Sequence, residues 1–476
     1  FGSGFKPVTK EDLTNLVVGM IHEIKGNSVT LGYDLDAIQD VVDHLQSRYR
    51  EGQDYELHIQ RGDDLPNAIT FKNPVLQKDY DLKISKSEYK QRIQLIQDKI
   101  KTSQIDSLVI SEEEDIYYLT GLTYKSLERL FLLVIKENNV SFIVPKMELA
   151  HLKKVDNVNE IESYWEYPAQ KPERWKDILL EKVRDSKLIG IGGKTPFEIS
   201  AFLTSVNLKT VENSILEQQR WIKSNAEIQL IKQASKYCNF SINELNKNAY
   251  FGMSELEVFS IGRSIQQKVI KETPFDYLAT NILVAAWPSR ISYQPHGIPK
   301  VSDVLVEGSH ISLAFLRVNG YSAELERTFF TSKPTKEQEE AFELMMEARR
   351  RSYAILKSGT IAEDVDLAAK QILIDQGLKE NLMHRTGHGI GLGNHEGPYL
   401  AEGDKTVLKE NMVVSIEPGI YIEGVGGFRH SDTVLITKNG YEILTNCPDD
   451  IKSLTFTNSK PLQKLKGNIV KKMYGI

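Results

Sequence analysis

Apolar residues recur at helical spacing in several long stretches of the chain: Ser87–Lys101, Ile222–Asn248, a stretch beginning at Ser254, and Lys336–Ser358. Between them lie apolar runs too short for helices. Ser107-Leu108-Val109-Ile110 reads as a buried strand, and Phe131–Ile135 and Val140–Val144 read as a hairpin around Glu137-Asn138-Asn139. The alternation over residues 85–215 predicts a mixed α/β layer. Further on, His310–Phe330 (HISLAFLRVNGYSAELERTFF) reads as two strands meeting at Gly320-Tyr321, and the end of the chain is strand-rich. Strand parity places Glu324 and Glu326 on one face of the second strand, with Leu325 on the other. Residues 1–84 look helical: Thr9-Lys10-Glu11-Asp12 resembles a helix start before Leu13, Leu16, Val17, Met20, Ile21 and Ile24. A second stretch, Leu35–Tyr49, places Leu35, Ile38, Val41, Val42 and Leu45 at similar spacing. The predicted organisation is a helical extension (1–84), an α/β domain (85–215) and a larger domain of helices and strands (216–476).

Composition narrows the classes. A chain of 476 residues exceeds one core, and 41% hydrophobic with 26% charged residues is ordinary for a globular protein. The net charge of −6 argues against nucleic acid or an anionic membrane as partner. The five lysines of Lys460–Lys472 read as a solvated terminal segment. Two cysteines, Cys238 and Cys447, make neither a disulfide framework nor a thiolate zinc site, and suit a reducing cytoplasm. No apolar run approaches the ~20 residues needed to span a bilayer. FGSGFKPVTKEDL shows no basic region followed by an apolar one, so a cytoplasmic location is expected.

Five motifs carry a resemblance. They are EYKQRIQLIQDKI…DSLVISEEEDIYYLTGL from Glu88, QPHGIP (294–299), TGHGIGLGNHEGP (386–398), VVSIEPGIY (413–421) and GGFRHSD (426–432). In this order they resemble the "pita-bread" family of methionine aminopeptidase, aminopeptidase P, prolidase and creatinase. The resemblance implies an α/β (α+β) chain with a pita-bread catalytic domain at 216–476 behind a creatinase/prolidase-type N-terminal domain. It also implies a homodimer in which each site is completed by the partner's N-terminal domain. The metallopeptidases of this family hold two cations with Asp, Asp, His, Glu and Glu, and the matching positions here read Leu313, Glu324, His388, Glu417 and Ser431. Leucine offers no lone pair to a cation, and two ions need bridging carboxylates. The expectation is therefore no catalytic metal and no cofactor.

The metal-independent creatinase branch resembles this chain more closely at the hairpin, where Leu325-Glu326-Arg327-Thr328 matches its Leu-Glu-Arg-Thr. Glu326 stands thirty residues after His296 and sixty-two before His388, as in creatinase. In SLERLFLLVI (126–135), Arg129 aligns with an arginine that reaches the neighbouring subunit's site. A guanidinium or amidinium is planar and cationic, and a carboxylate accepts its N–H fork bidentately. This predicts hydrolysis of a C–N bond in a guanidino- or amidino-bearing small carboxylate. His296, Glu326, His388 and Glu417 would be catalytic, with Glu324, His395, Arg129, Tyr399 and Ser431 binding substrate. Histidine suits the proton transfers because its pKa lies near neutrality. Ser431, Tyr399 and Leu127 replace a His, an Arg and a Phe of creatinase, so creatine itself is not expected as substrate. His310 and His384 lie outside the motif positions and read as structural. A residual Xaa-Pro-type metallopeptidase and an inactive binding module are the alternatives.

Overall fold

The computed structural model describes residues 82–475 and, before them, the backbone of five strands. The chain divides into two compact units, Phe1–Leu82 and Lys83–Ile476. The described part of the first unit is a sheet in the order Lys6–Pro7, Glu56–Gly62, Leu65–Lys72, Ser28–Leu31, Ile21–Lys25. This corrects the end of the first expected helix, whose earlier part, residues 9–20, lies outside the described residues. Ile21 and Ile24 belong to a strand whose Lys25 lies opposite Ser28 of the next. The intervening Gly26-Asn27 is the composition that a two-residue hairpin turn demands. Val29 and Thr30, β-branched, continue the ladder. The helix expected over Leu35–Tyr49 lies outside the described residues.

The second unit begins with the α/β layer. Its sheet runs in the order Lys209–Glu212, Leu188–Ile191, Ser107–Ile110, Leu132–Lys136, Asn139–Pro145, Glu160–Tyr164 and mixes parallel and antiparallel neighbours. Val109, Leu132, Val134 and Ile143 from its strands pack with Leu179, Val183, Ile199 and Leu203 from the covering helices. Burial of this apolar surface is the layer's main source of stability.

The rest of the second unit is built around an antiparallel sheet in the order Asn281–Trp287, Ser309–Val318, Tyr321–Phe330, Ser431–Ile436, Val413–Ile416, Gly387–Gly389, Glu396–Leu400. Tyr441–Ile443 pairs at the side with Ser431–Ile436. The hairpin Gly419–Ile422 and Gly426–Arg429 stands apart from this sheet. Helices Asn225–Asn248, Glu255–Glu272 and Lys336–Ile355 each open on a capping box, at Ser224/Glu227, Ser254/Glu257 and Thr335/Gln338. The solvated Lys460–Lys472 segment forms a helix, Pro461–Tyr474, started by Pro at its first turn and ended by Gly475 in the left-handed conformation. No helix among the described residues is long and apolar enough to cross a membrane.

Two glycines matter to the site. A side chain at Gly387 would drive into the carbonyl of Ser415, and one at Gly389 into that of Gly397. The glycines of TGHGIG therefore let three backbone segments close around His388.

Candidate active site

Strand Tyr321–Phe330 is paired without a bulge to Ser309–Val318, so Leu313 faces Glu326 and Phe315 faces Glu324. Glu324 and Glu326 share a face and both are buried. Glu324 Oε1 accepts a hydrogen bond from Ser431 Oγ at 2.8 Å. His388 is fully buried, and its Nδ1 lies 3.1 Å from the Gly389 carbonyl. A carbonyl can only accept, so Nδ1 carries the hydrogen and Nε2 faces the carboxylates. Nε2 lies 3.2 Å from Glu417 Oε1 and 3.6 Å from Glu324 Oε1, yet it has no hydrogen-bond partner among the described residues. The His395 ring stands 4.1 Å from that of His388, nearly edge-on, and is exposed.

Three buried ionisable groups therefore perturb one another. Burial raises the Glu324 pKa, with Glu417 and Glu326 adding to the rise against His388. At Glu417 burial also acts upward, but His388, His384 and Arg429 together hold the carboxyl well below its usual range. For His388 burial favours the neutral ring, and the charges of Glu324 and Glu417 outweigh it and raise the pKa.

Glu326 has a different surrounding. Arg429 grips it bidentately, Nε to Oε2 at 2.5 Å and Nη2 to Oε1 at 2.8 Å. Arg429 Nη1 also donates to Tyr421 Oη at 2.8 Å and to the Pro295 carbonyl, and its guanidinium lies over the Trp287 ring. Tyr421 in turn meets His384 Nε2 at 2.8 Å, so His384 belongs to a layer supporting the site. Arg429 stands within GGFRHSD, a motif that by itself assigns it no role. Its partner lies 103 positions away, and only a pairing rule for the buried Glu326 pointed to such a cation.

Other expected residues are placed less centrally. His296 is exposed, in a turn held by Trp287 Nε1 donating to the Gly297 carbonyl at 2.6 Å. Tyr399 lies at the rim, with the Arg385 guanidinium 5.0 Å from its ring centre. Arg129 binds Glu166 and Glu128, each at 3.0 Å, within the N-terminal layer. Next to the site opens a cavity of about 380 Å³ reached by His395, Asn394 and Tyr399. Arg220 and Arg317 also line it, and Arg220 ties Asp115 of the N-terminal layer to the buried Glu396.

A pair of metal ions does not fit these residues. Leu313 has no donor atom, Ser431 offers a hydroxyl already given to Glu324, and Glu326 is held by a guanidinium. Glu324, His388 and His395 do offer donor atoms within 4.8 Å of one another.

Residues 92–222 match the model of the creatinase/prolidase N-terminal domain, and residues 229–438 that of metallopeptidase family M24. An uncharacterized peptidase of Staphylococcus aureus is 31% identical over 367 residues, spanning 75% of this chain and 99% of the relative. The chain belongs to metallopeptidase family M24. Its fold is the pita-bread catalytic domain behind a creatinase/prolidase N-terminal domain. A relative named Xaa-Pro dipeptidase, from Pyrococcus horikoshii, is 28% identical over 361 residues, or 75% of this chain and 97% of the relative. The solved recombinant prolidase of Thermococcus sibiricus superposes with a TM-score of 0.66 at 26% identity, covering 76% of this chain and 98% of that one.

These relatives overturn the creatinase-like expectation. The two Pyrococcus relatives are named Xaa-Pro dipeptidase and the Thermococcus structure a prolidase, names for peptidases and not for amidinohydrolases. The structure supplies a physical reason. The carboxylate expected to receive a substrate guanidinium, Glu326, already holds one from the chain's own Arg429. The Leu-Glu-Arg-Thr match was real as sequence, but it encodes an internal ion pair.

Proposed function

We propose that the protein hydrolyses dipeptides of the Xaa-Pro type. One observation carries this reading: two buried carboxylates, Glu417 and Glu324, converge on Nε2 of the buried His388 at 3.2 and 3.6 Å. His388 and its neighbours keep Glu417 ionised while burial lifts the Glu324 carboxyl toward neutrality, and such a division gives two carboxylates different parts in one site. Glu417 accepts a hydrogen bond from the attacking water and orients it, and Glu324, the stronger base of the two, takes its proton. The exposed His395 and His296 stand at the mouth, where a proton must reach the leaving proline nitrogen. Ser431 orients Glu324 through its hydroxyl, and the Arg429–Glu326 pair forms a fixed wall backed by Tyr421 and Trp287. Arg317 on the wall of the adjoining cavity suits the carboxylate of a short peptide, with Tyr399 at the rim. No step is routed through a pair of ions.

The divisions at residues 84 and 215 belong to the same proposal, as does a homodimer in which Arg129 of one protomer approaches the site of its partner. The free buried thiols Cys238 and Cys447 suit a reducing, cytoplasmic setting. Light scattering at micromolar concentration tests the dimer, and a strictly monomeric mass removes it. The activity is tested by proline release from Ala-Pro, Leu-Pro and Arg-Pro, with and without added Mn²⁺. Release of proline, and slower cleavage of Ala-Ala, is expected; no release under any of these conditions overturns the proposal. A second reading, a module that binds dipeptides without cleaving them, is favoured by Leu313 and Ser431. Calorimetric binding of Ala-Pro without proline release would select it.

A further inference from the structure

Helix Pro461–Tyr474 is amphipathic, yet it packs on the chain by its polar side. Gly467 is buried, and a side chain there would drive into Glu257 and Tyr250. Lys471, on the same side, donates from Nζ to the Gly252 carbonyl at 2.5 Å and lies 3.6 Å from Glu257. Successive residues turn by about 100°, so Leu462, Leu465, Ile469 and Met473 fall within about 80° of one another on the opposite side. They are 70, 59, 53 and 77% exposed. Such a stripe ordinarily faces the core of a globular protein; here it faces outward. Lys466 borders it on one edge and Lys472 on the other, both exposed and neither paired with a carboxylate among the described residues. The helix carries four lysines and no acidic residue.

We propose that this face rests on an anionic lipid bilayer, with the helix lying in the plane of the headgroups. The four apolar side chains enter the acyl boundary, while Lys466 and Lys472 lay their stems beside them and raise their ammonium groups among lipid phosphates. The shape of the face selects a bilayer over a protein groove. Gly467 and Lys471 hold the helix to the domain, so the stripe is a convex ridge that a groove could not close around. A second copy fits no better, because stripe against stripe brings lysines toward lysines. A stable dimer also buries ~800 Å² per partner, more than four side chains of one helix supply. The net charge of −6 does not oppose this contact. Salt screens charges beyond ~8 Å, so the membrane senses the local lysines rather than the total on which the expectation of no membrane partner rested. One short stripe gives weak, reversible attachment that depends on anionic lipid.

The full chain is sedimented with vesicles of phosphatidylcholine alone or with ~30% phosphatidylglycerol added. At low salt the protein should pellet with the anionic vesicles at least ~10-fold more than with the neutral ones, and ~0.5 M salt should release it. Ile469→Glu and Lys466→Glu, both at exposed positions, should each lower the bound fraction ~10-fold while the circular dichroism stays native. Protein left in the supernatant of the anionic vesicles overturns the proposal. Equal binding to both kinds of vesicle overturns it, as does binding undiminished by Ile469→Glu. A parent that ignores vesicles, and whose mass by light scattering falls on Ile469→Glu, assigns the stripe to a second copy and overturns it as well.

Discussion

Ser431 and Asp432 are neighbours on one strand, and they look into two buried polar regions of different kinds. On the Asp432 side, Arg327 Nη2 donates to Oδ1 at 2.8 Å, Arg349 binds Oδ2, and Thr445 Oγ1 donates to Oδ1 at 2.6 Å. Arg327 gives further hydrogens to the carbonyls of Glu326, Ser431 and Pro448. Burial alone would raise the Asp432 pKa, but the two arginines lower it. On the Ser431 side, Glu324, Glu417 and His388 crowd together, and Nε2 is left without a hydrogen bond among the described residues. The same low-dielectric interior thus holds one carboxylate matched by two guanidinium groups and, beside it, two carboxylates gathered on a single imidazole. The second kind of cluster costs stability, and function is the physical reason to keep it.

The comparison predicts different losses on the two sides. Asp432→Asn keeps shape but leaves two buried guanidinium groups without their anion. A loss of ~3–5 kcal/mol is expected, read as a lower urea midpoint at unchanged slope. No measurable shift would show that this cluster contributes nothing. Glu326→Gln breaks the one closed pair inside the site, and ~2–3 kcal/mol should be lost as Arg429 keeps a weaker, neutral acceptor. A loss equal to that of Asp432→Asn would place Glu326 with the structural cluster.

A pH series sharpens the picture at a buried carboxyl away from both regions. Burial, with a contribution from Asp303, raises the Glu255 pKa from its ordinary 4.5 to about 8, against the N–H of Ala286. The native state keeps this proton over a range where the unfolded chain has lost it, so stability falls as pH rises from about 4.5 to about 8. Glu255→Gln keeps an acceptor for Ala286 and removes that titration. Its stability relative to the parent should be lowest near pH 4.5 and rise by up to ~4 kcal/mol at pH 8.5. A pH-independent difference between the two proteins would refute the shift. The smallest effect belongs to the exposed pair Lys86–Asp156 at 2.6 Å, whose removal by Asp156→Asn should leave the urea midpoint where it is in the parent.

Much of this architecture was legible in the sequence, and the failures have physical causes. Ser224-x-x-Glu227 and Ser254-x-x-Glu257 announce their helices locally, and strand alternation places Glu324 and Glu326 on one face. His388, Glu417 and Glu324 were identifiable from motif positions, and the fold brings them together. The partner of Glu326 was not legible, because Arg429 reaches it through tertiary pairing rather than local pattern. That missing contact is why Leu-Glu-Arg-Thr misled: a carboxylate without a visible partner looks like a substrate site. Residues 21–25 misled in another way, since Ile21 and Ile24 fit a helical period while Gly26-Asn27 signalled a hairpin turn.

The measurement closest to the central claim is proline release from Ala-Pro by Glu324→Gln, at a temperature where circular dichroism shows the variant folded. The account predicts turnover lower by ~10²–10⁴, with a urea midpoint far closer to the parent's than that of Asp432→Asn. Turnover within a few-fold of the parent, or a stability loss matching that of Asp432→Asn, would contradict it.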